Sequence, residues 1–118
     1  HVGSARVKLI AACDPLLQDA VITGHDRDEM GALVFLSPAA KDADVRGRLA
    51  QALQDLAREG GSSTHPGRLL VMEEPPQIDA GEITAKGYIN QRAVLERRAA
   101  LVARLHQDPP PPEVITAT

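Results

Sequence analysis

Residues 81–101 read GEITAKGYINQRAVLERRAAL and place a single lysine in a short, glycine-flanked loop directly before an arginine-rich helix. Glycine lets the backbone approach a ligand closely, and one ammonium group at a loop tip can reach oxygens on which negative charge develops. The arrangement is typical of phosphate chemistry. It makes Lys86 the first candidate functional residue, against the alternative of a solvated lysine in a turn before an ordinary surface helix.

The helix that follows the lysine is predicted to run from about Asn90 to His106. Its apolar side chains recur on one face, which we expect to be buried: Val94, Leu95, Leu101, Val102 and Leu105. Its arginines are expected to face mostly outward: Arg92, Arg97, Arg98 and Arg104. Asp108 and the four prolines after it cannot continue a helix, so residues 108–118 are expected to form an extended, disordered tail outside a domain of residues 1–107.

Upstream of the lysine, the sequence predicts three strands. Residues 68–74, RLLVMEE, are apolar on consecutive positions, as in a strand covered on both faces, and the two prolines that follow end it. DAVITG at residues 19–24 and GALVFLS at residues 31–37 are typical of strands, and they flank a charged connection at residues 25–29. This pair predicts an antiparallel hairpin.

Two more helices are predicted before and between these strands. Ser4 can cap a short first helix that ends before Asp14. Its apolar side carries Val7, Ile10 and Ala11. Asp42 or Asp44 can cap a second helix, which ends before a flexible connector at residues 60–68. Its apolar residues repeat on one face: Val45, Leu49, Leu53 and Leu56. The element order predicts a small α+β domain in which a three-stranded, mostly antiparallel sheet is flanked by helices.

Composition argues against a nucleic-acid reader. The net charge is -3 and aromatic residues make up 2% of the chain, so both a basic face and base-stacking platforms are lacking. Charge is nevertheless uneven along the chain. Residues 1–85 hold eight Lys or Arg against 13 Asp or Glu, whereas residues 86–108 hold five basic against two acidic side chains.

Other residue types exclude further classes of function. A single cysteine, Cys13, leaves no internal disulfide and fits a reducing compartment such as the cytoplasm. The scattered histidines predict no metal site: His1, His25, His65 and His106. No apolar run approaches the roughly 20 residues that cross a bilayer. The chain opens close to its first helix without a leader, as we expect of a piece of a longer protein.

Several of these segments together resemble the C-terminal domain of AMP-forming acyl-CoA synthetases, members of the adenylate-forming superfamily. The resemblance covers roughly residues 2–107. It rests on DPLLQDAVITG at residues 14–24, a strand at residues 33–36, an apolar strand that ends in EEPP, and GEITAKGYINQR before a basic helix. The longer string GEITAKGYINQRAVL, followed by RRAAL, is most similar to feruloyl-CoA synthetases.

The resemblance implies a small domain that rotates against a large N-terminal domain. The whole enzyme would join a carboxylic acid to CoA with ATP, releasing AMP and pyrophosphate, with ferulate or a related hydroxycinnamic acid as substrate. ATP with its Mg²⁺, CoA and the aromatic acid would be held mainly by the large domain, so this chain alone is expected to be inactive. Matching the motif assigns Lys86 as the adenylation lysine and Gly87 as the glycine beside it.

One stretch departs from the commoner superfamily pattern of Gly, Lys and Ile. Here the order is Lys86, Gly87, Tyr88 and Ile89. If Ile89 and Arg92 are held in register, Tyr88 takes the usual lysine position and Lys86 lies two residues upstream. Arg92 is then the rival cation, with a tentative role in binding the nucleotide.

A second class of function is a free-standing, non-catalytic module that binds a partner or a small anion through its basic C-terminal helix. In either class the helix arginines could be simply solvated. Under the ligase interpretation, Arg92, Arg97 and Arg98 could instead contact the nucleotide part of CoA or acidic patches on the large domain.

Overall fold

The computed structural model describes residues 2–24, 29–41, 43–59 and 65–117. Several sequence-based expectations fall outside these ranges. They concern His1, the charged connection at residues 25–28, the capping candidate Asp42 and the connector at residues 60–64.

The chain forms a small α+β domain, and this class is confirmed. The helices and strands follow in the order α1 (Val2–Ala12), β1 (Leu17–Thr23), β2 (Gly31–Leu36), α2 (Val45–Glu59), β3 (Arg68–Val71), α3 (Gln91–Arg97), α4 (Ala99–Leu105) and β4 (Ile115–Thr116). Short 3-10 turns lie at Pro38–Ala40 and Ile78–Ala80. No helix of the described ranges is long and apolar enough to span a bilayer.

Among the described residues, the sheet is mixed and has four strands in the order β1-β2-β3-β4, not the expected three mostly antiparallel strands. The predicted hairpin of β1 and β2 is confirmed as an antiparallel pair. β3 runs parallel to β2 because α2 carries the chain back across the sheet before β3 begins. The sequence predicted that helix and both strands, but their relative direction depends on the crossover.

The segment expected to be a disordered tail is packed against the domain. β4 pairs antiparallel with β3, where Leu69 lies opposite Ile115. Val114 and Ile115 are each only 3% exposed. Prolines end the preceding helix and favour an extended chain, which delivers these apolar residues to the open edge of β3. The predicted extended conformation therefore serves as an edge strand.

Two apolar clusters cover opposite faces of the sheet. One joins β-strand residues such as Leu69 to the buried face of α2, where Leu49, Leu53 and Leu56 lie as predicted. The other joins Leu33 and Leu70 to α3, α4 and Val114. Adjacent residues of β3 thus enter different clusters, which confirms the prediction that this strand is covered on both faces.

The first and last helices differ from their sequence-based description. Val7 of α1 is 63% exposed, whereas Ala5 and Leu9 are fully buried. The predicted helix over residues 90–106 is divided into α3 and α4 at Arg98, whose backbone leaves the helical region. This break changes the face that α4 presents, so Leu101 is 38% exposed although Leu105 is buried.

Candidate functional site

Lys86 lies at the tip of a short hairpin at residues 83–89, which we call the lysine hairpin. Ile83 and Ile89 form its single antiparallel bridge. Inside it, the Thr84 amide donates to the Tyr88 carbonyl oxygen at 2.7 Å, and the Gly87 amide donates to the Thr84 carbonyl oxygen at 2.9 Å. The sequence folds in this way because Gly87 has φ +86, a left-handed conformation that glycine adopts without strain.

The side chain of Lys86 is exposed at this tip. Within the described part of the chain, its ammonium group makes no hydrogen bond or ion pair. Tyr88, the residue that takes the usual lysine position in the alternative register, is 70% exposed on the same hairpin. The tip therefore presents a cation that has no partner among the described residues, beside an exposed ring.

The base of the lysine hairpin is closed by Glu82. The Asn90 amide donates to the Glu82 carbonyl oxygen at 2.8 Å, which joins the two ends of the hairpin. Asn90 is also the cap of α3, because its side-chain oxygen accepts from the Ala93 amide at 3.2 Å. The returning strand of the hairpin thus passes directly into the helix.

The side chain of Glu82 is fully buried and bonded to an arginine. Arg98 donates to it through Nε at 2.8 Å and through Nη2 at 3.0 Å. The Gln77 amide donates to the same carboxylate at 2.9 Å. The hydrogen bond from Arg98 is the main cause that lowers the Glu82 pKa, with help from Gln77 and Arg97, although burial acts in the opposite direction.

Arg98 was expected to face outward, but it is only 6% exposed. Besides Glu82, it donates to the carbonyl oxygens of Glu74 at 2.7 Å and Pro75 at 3.0 Å. Its guanidinium also lies over the Phe35 ring, 5.1 Å from the centroid. The break between α3 and α4 turns this side chain inward, where all its nitrogens are engaged. Arg98 therefore has no nitrogen without a partner that it could offer to a nucleotide.

The remaining arginines of the C-terminal helices are paired with carboxylates. Arg97 Nη1 lies 2.7 Å from Glu74 Oε1, and Arg104 pairs with Glu113. The Arg92 side chain is 89% exposed, and its Nε lies 3.0 Å from Glu96 Oε1. The positive charge that the sequence concentrates here is thus largely neutralised by partners from within the domain.

A groove of about 700 Å³ lies between β3 with its extension and the outer face of α4. Its apolar floor includes Leu70, Met72 and Leu101, and its rim carries Arg97, Arg104 and Glu113. Lys86 is not among its lining residues. The structure therefore places the candidate lysine outside this groove.

Sequence reasoning missed Glu82, although it lies next to Gly81 in the stretch that drew attention to Lys86. A glutamate in a polar loop is ordinarily solvated, and nothing in its spacing marks this one as buried. Its burial depends on Arg98, sixteen residues later.

Metal binding and thiol chemistry are two further kinds of reactive site that were considered from the sequence. The described ranges contain no cluster of three or more His, Cys, Asp or Glu side chains that could hold a metal ion. Cys13 is buried, and this burial raises the pKa of its thiol to about 11, despite the opposing charge of Arg48. The thiol is therefore protonated at neutral pH and is a poor nucleophile.

Comparison with models of protein families identifies the family of this domain. A model described as the AMP-binding enzyme C-terminal domain matches residues 5–109. The chain belongs to this family. It is therefore a domain of the adenylate-forming type, which was the coarser part of the expected resemblance. A search of curated proteins finds no match.

Solved structures give the same placement. The A-PCP didomain of a carboxylic acid reductase from Segniliparus rugosus, in complex with AMP, is 28% identical with a TM-score of 0.64, over 85% of this chain and 15% of that one. The A domain of a carboxylic acid reductase from the same organism, in complex with AMP and a co-purified carboxylic acid, is 29% identical with a TM-score of 0.59, over 83% and 18%.

A third structure, the adenylation domain of a carboxylate reductase from Mycobacterium chelonae, is 18% identical with a TM-score of 0.62, over 85% of this chain and 17% of that one. At this identity it shows the fold alone. The chain thus spans less than a fifth of each of these structures. The specific likeness to feruloyl-CoA synthetases stays a prediction.

Proposed function

We propose that this chain is the mobile C-terminal domain of an enzyme that activates a carboxylic acid with ATP, and that Lys86 supplies the cation for the adenylation step. One observation carries the proposal. In an AMP-binding enzyme C-terminal domain, the Lys86 ammonium group stands exposed at a glycine-supported hairpin tip, with no partner among the described residues.

The chemistry explains why a free cation is needed. A carboxylate oxygen forms a bond to the α-phosphorus of ATP while the bond to pyrophosphate breaks, and negative charge spreads over the phosphate oxygens. An ammonium group at this point aligns two anionic reactants and stabilises the developing charge where water is excluded. Lys86 meets the requirement because no carboxylate of the described chain neutralises it.

The large domain is the proposed partner of this surface. ATP with its Mg²⁺, the carboxylic acid and the second substrate would bind mainly there, as the resemblance to the adenylate-forming superfamily implies. The chain alone is accordingly expected to be inactive. Gly87 lets the tip turn beside Lys86, and Arg92 is a secondary candidate for contact with the nucleotide. The proposal includes a cytoplasmic location, where nucleotide is supplied and the single thiol stays reduced.

For the second half-reaction we favour CoA as the thiol acceptor and ferulate or a related hydroxycinnamic acid as the acid. The support is the resemblance of residues 81–101 to feruloyl-CoA synthetases. Rotation of the domain would withdraw Lys86 and clear the site for the thiol. The A-PCP didomain among the similar structures makes an acceptor tethered to a following domain the main alternative.

The non-catalytic binding module is less well supported. That function depended on the positive charge of the C-terminal helices. Arg97 and Arg104 are paired with carboxylates of this chain, and Arg98 is buried. A surface whose arginines already have internal partners offers little free charge to a second molecule.

Lys86→Ala in the whole enzyme tests the proposal. We expect pyrophosphate release to slow by about 10² to 10³-fold, the usual effect of losing one preorganised charge donor. The free energy of unfolding should change by less than about 0.5 kcal/mol, because the side chain is exposed. The rates of pyrophosphate release and of thioester formation from presynthesised acyl adenylate are measured separately.

Lys41→Ala is the matched control, because Lys41 is also exposed but lies at the end of the turn after β2. Its rates should match those of the unaltered enzyme. Unimpaired pyrophosphate release in Lys86→Ala contradicts the adenylation role, and loss of only the thioester step assigns Lys86 to the second half-reaction. Arg92→Ala tests the alternative register, in which Arg92 is the rival cation and its loss would slow adenylation more than Lys86→Ala does. A panel of aromatic acids with free CoA tests substrate and acceptor.

A further inference from the structure

The tip of the lysine hairpin has almost no packing of its own, although Ile89 at its foot packs against the cluster of α3 and α4. Residues 84–88 are all exposed, and Ile83 and Ile89 form a single bridge. An isolated two-stranded hairpin is marginally stable in water even when it is longer than this. The position of Lys86 therefore depends on what holds the base of the hairpin.

Besides the apolar contact of Ile89, that base is held by a buried ion pair, which we call the Glu82–Arg98 clamp. Two hydrogen bonds of 2.8 and 3.0 Å join the carboxylate to the guanidinium. Arg98 extends the same fork to the carbonyl oxygens of Glu74 and Pro75, where the loop after β3 begins. One arginine at the α3–α4 junction thus fixes both the start of the loop and the foot of the hairpin.

The energetics of buried ion pairs suggest that the clamp does more than stabilise. Removing two charges from water is costly, and apolar residues of similar size often give equal or greater stability. An apolar pair, however, makes no directional hydrogen bonds that could orient the hairpin. The guanidinium of Arg98 donates to acceptors of three residues, and such directional hydrogen bonds define the orientation of the hairpin relative to α3.

We infer that Glu82 and Arg98 are positioning residues for adenylation, which hold the hairpin so that Lys86 enters the active site at one defined place. This inference rests on the proposed function of Lys86. Glu82 and Arg98 act through the segments that they hold and not by contact with a substrate, because both are buried and their polar atoms are engaged within the domain. Arg97 adds a peripheral contact, since its Nη1 lies 3.3 Å from Glu82 Oε1.

A double-mutant cycle in the whole enzyme tests the inference. The variants are Glu82→Gln, Lys86→Ala and the combination of both. Glu82→Gln retains the shape of the side chain but removes its charge. We expect it to lower the kcat of pyrophosphate release by about 10- to 100-fold, as for a displacement of about 1 Å at a catalytic group. The KM for ATP should change by less than about twofold, because the nucleotide binds elsewhere.

The cycle separates positioning from a general structural effect. If Glu82 acts through Lys86, the combined variant should be no slower than Lys86→Ala alone. Equal losses from Glu82→Gln with and without Lys86 overturn the inference. An unchanged adenylation rate in Glu82→Gln overturns it as well and leaves the proposed function standing. If Lys86→Ala itself has no effect, the proposed function fails and takes the positioning role with it.

Loss of stability is controlled in two ways. Leu53→Ala removes a fully buried side chain from the opposite face of the sheet, so it should destabilise the domain without slowing adenylation at a temperature where it is folded. Amide hydrogen exchange then reports on the clamp itself. Glu82→Gln should speed exchange at residues 83–89 while β1 and β2 keep their protection. Unchanged exchange in the hairpin overturns the clamp whatever the kinetics show.

Discussion

The central strands and the lysine hairpin are held in place by different forces. Leu33 and Leu69 are fully buried in clusters on the two faces of the sheet. The lysine hairpin instead has exposed residues, one bridge and a buried ion pair at its foot. Apolar contacts resist any displacement of the strands. The Glu82–Arg98 clamp instead orients the hairpin relative to α3 and leaves its tip exposed for contact with a partner. In this domain, stability and the proposed chemistry therefore depend on different residues.

The largest expected effect on stability is that of Leu33→Ala in β2. This change removes a fully buried side chain between β1, β3 and the cluster of α3 and α4. We expect it to lower the free energy of unfolding by about 2 to 5 kcal/mol, through lost burial and the cavity left behind. Denaturant unfolding of the 118-residue chain measures it. A loss below about 1 kcal/mol would show that the core is less tightly packed than the structure indicates.

A smaller effect on stability is expected from replacing either of two glycines by alanine: Gly81, which precedes Glu82, and Gly87, which follows Lys86. Gly81 and Gly87 have φ +78 and +86, and a Cβ would meet no atom within 4 Å at either. Alanine at each should cost about 1 to 2 kcal/mol in backbone strain alone. Gly87→Ala should also slow adenylation because it adjoins Lys86, whereas Gly81→Ala, outside the hairpin, should not.

One outcome of the two glycine variants would contradict this prediction. Equal rates of pyrophosphate release in the two variants, at equal loss of stability, would mean that the conformation of the hairpin tip is unimportant for catalysis. Unfolding curves and adenylation rates of both variants are compared at one temperature.

The smallest effect is expected from Arg92→Ala. The Arg92 side chain is 89% exposed and pairs only with Glu96 one turn away. Such a pair contributes about 0.3 to 0.5 kcal/mol, so the free energy of unfolding should barely change. If Arg92 contacts the nucleotide from this exposed position, the KM for ATP or CoA should rise by at most about fivefold, since exposed charge pairs contribute roughly 0.2 to 1 kcal/mol.

Glu96→Ala is the control for this change, because it removes the same pair but retains the cation. Its KM values should stay at those of the unaltered enzyme or fall. A fall of a hundredfold or more in the rate of pyrophosphate release for Arg92→Ala, with Lys86→Ala near normal, would transfer the adenylation role to Arg92.

Local pattern was sufficient to predict most elements of the fold and the position of the candidate lysine. The leucines of α2 repeat at helical spacing, and β1 and β2 are β-rich runs joined by a short connection, so nearest-neighbour physics defines them. Gly87 after Lys86 predicted a turn with an exposed cation, and the structure has that turn. The sequence resemblance indicated the adenylate-forming family, which the family model confirms.

Tertiary structure alone decided how these pieces meet. The parallel pairing of β2 with β3 depends on the path of α2, and β4 forms because an open strand edge is within reach of Ile115. Glu82 and Arg98 look like surface residues in the sequence, since a charge is ordinarily solvated. Their burial requires a partner sixteen positions away and a helix that breaks at Arg98. Contacts between distant residues leave no periodic trace along the chain, and for that reason the anchor of the candidate lysine becomes visible only in the folded domain.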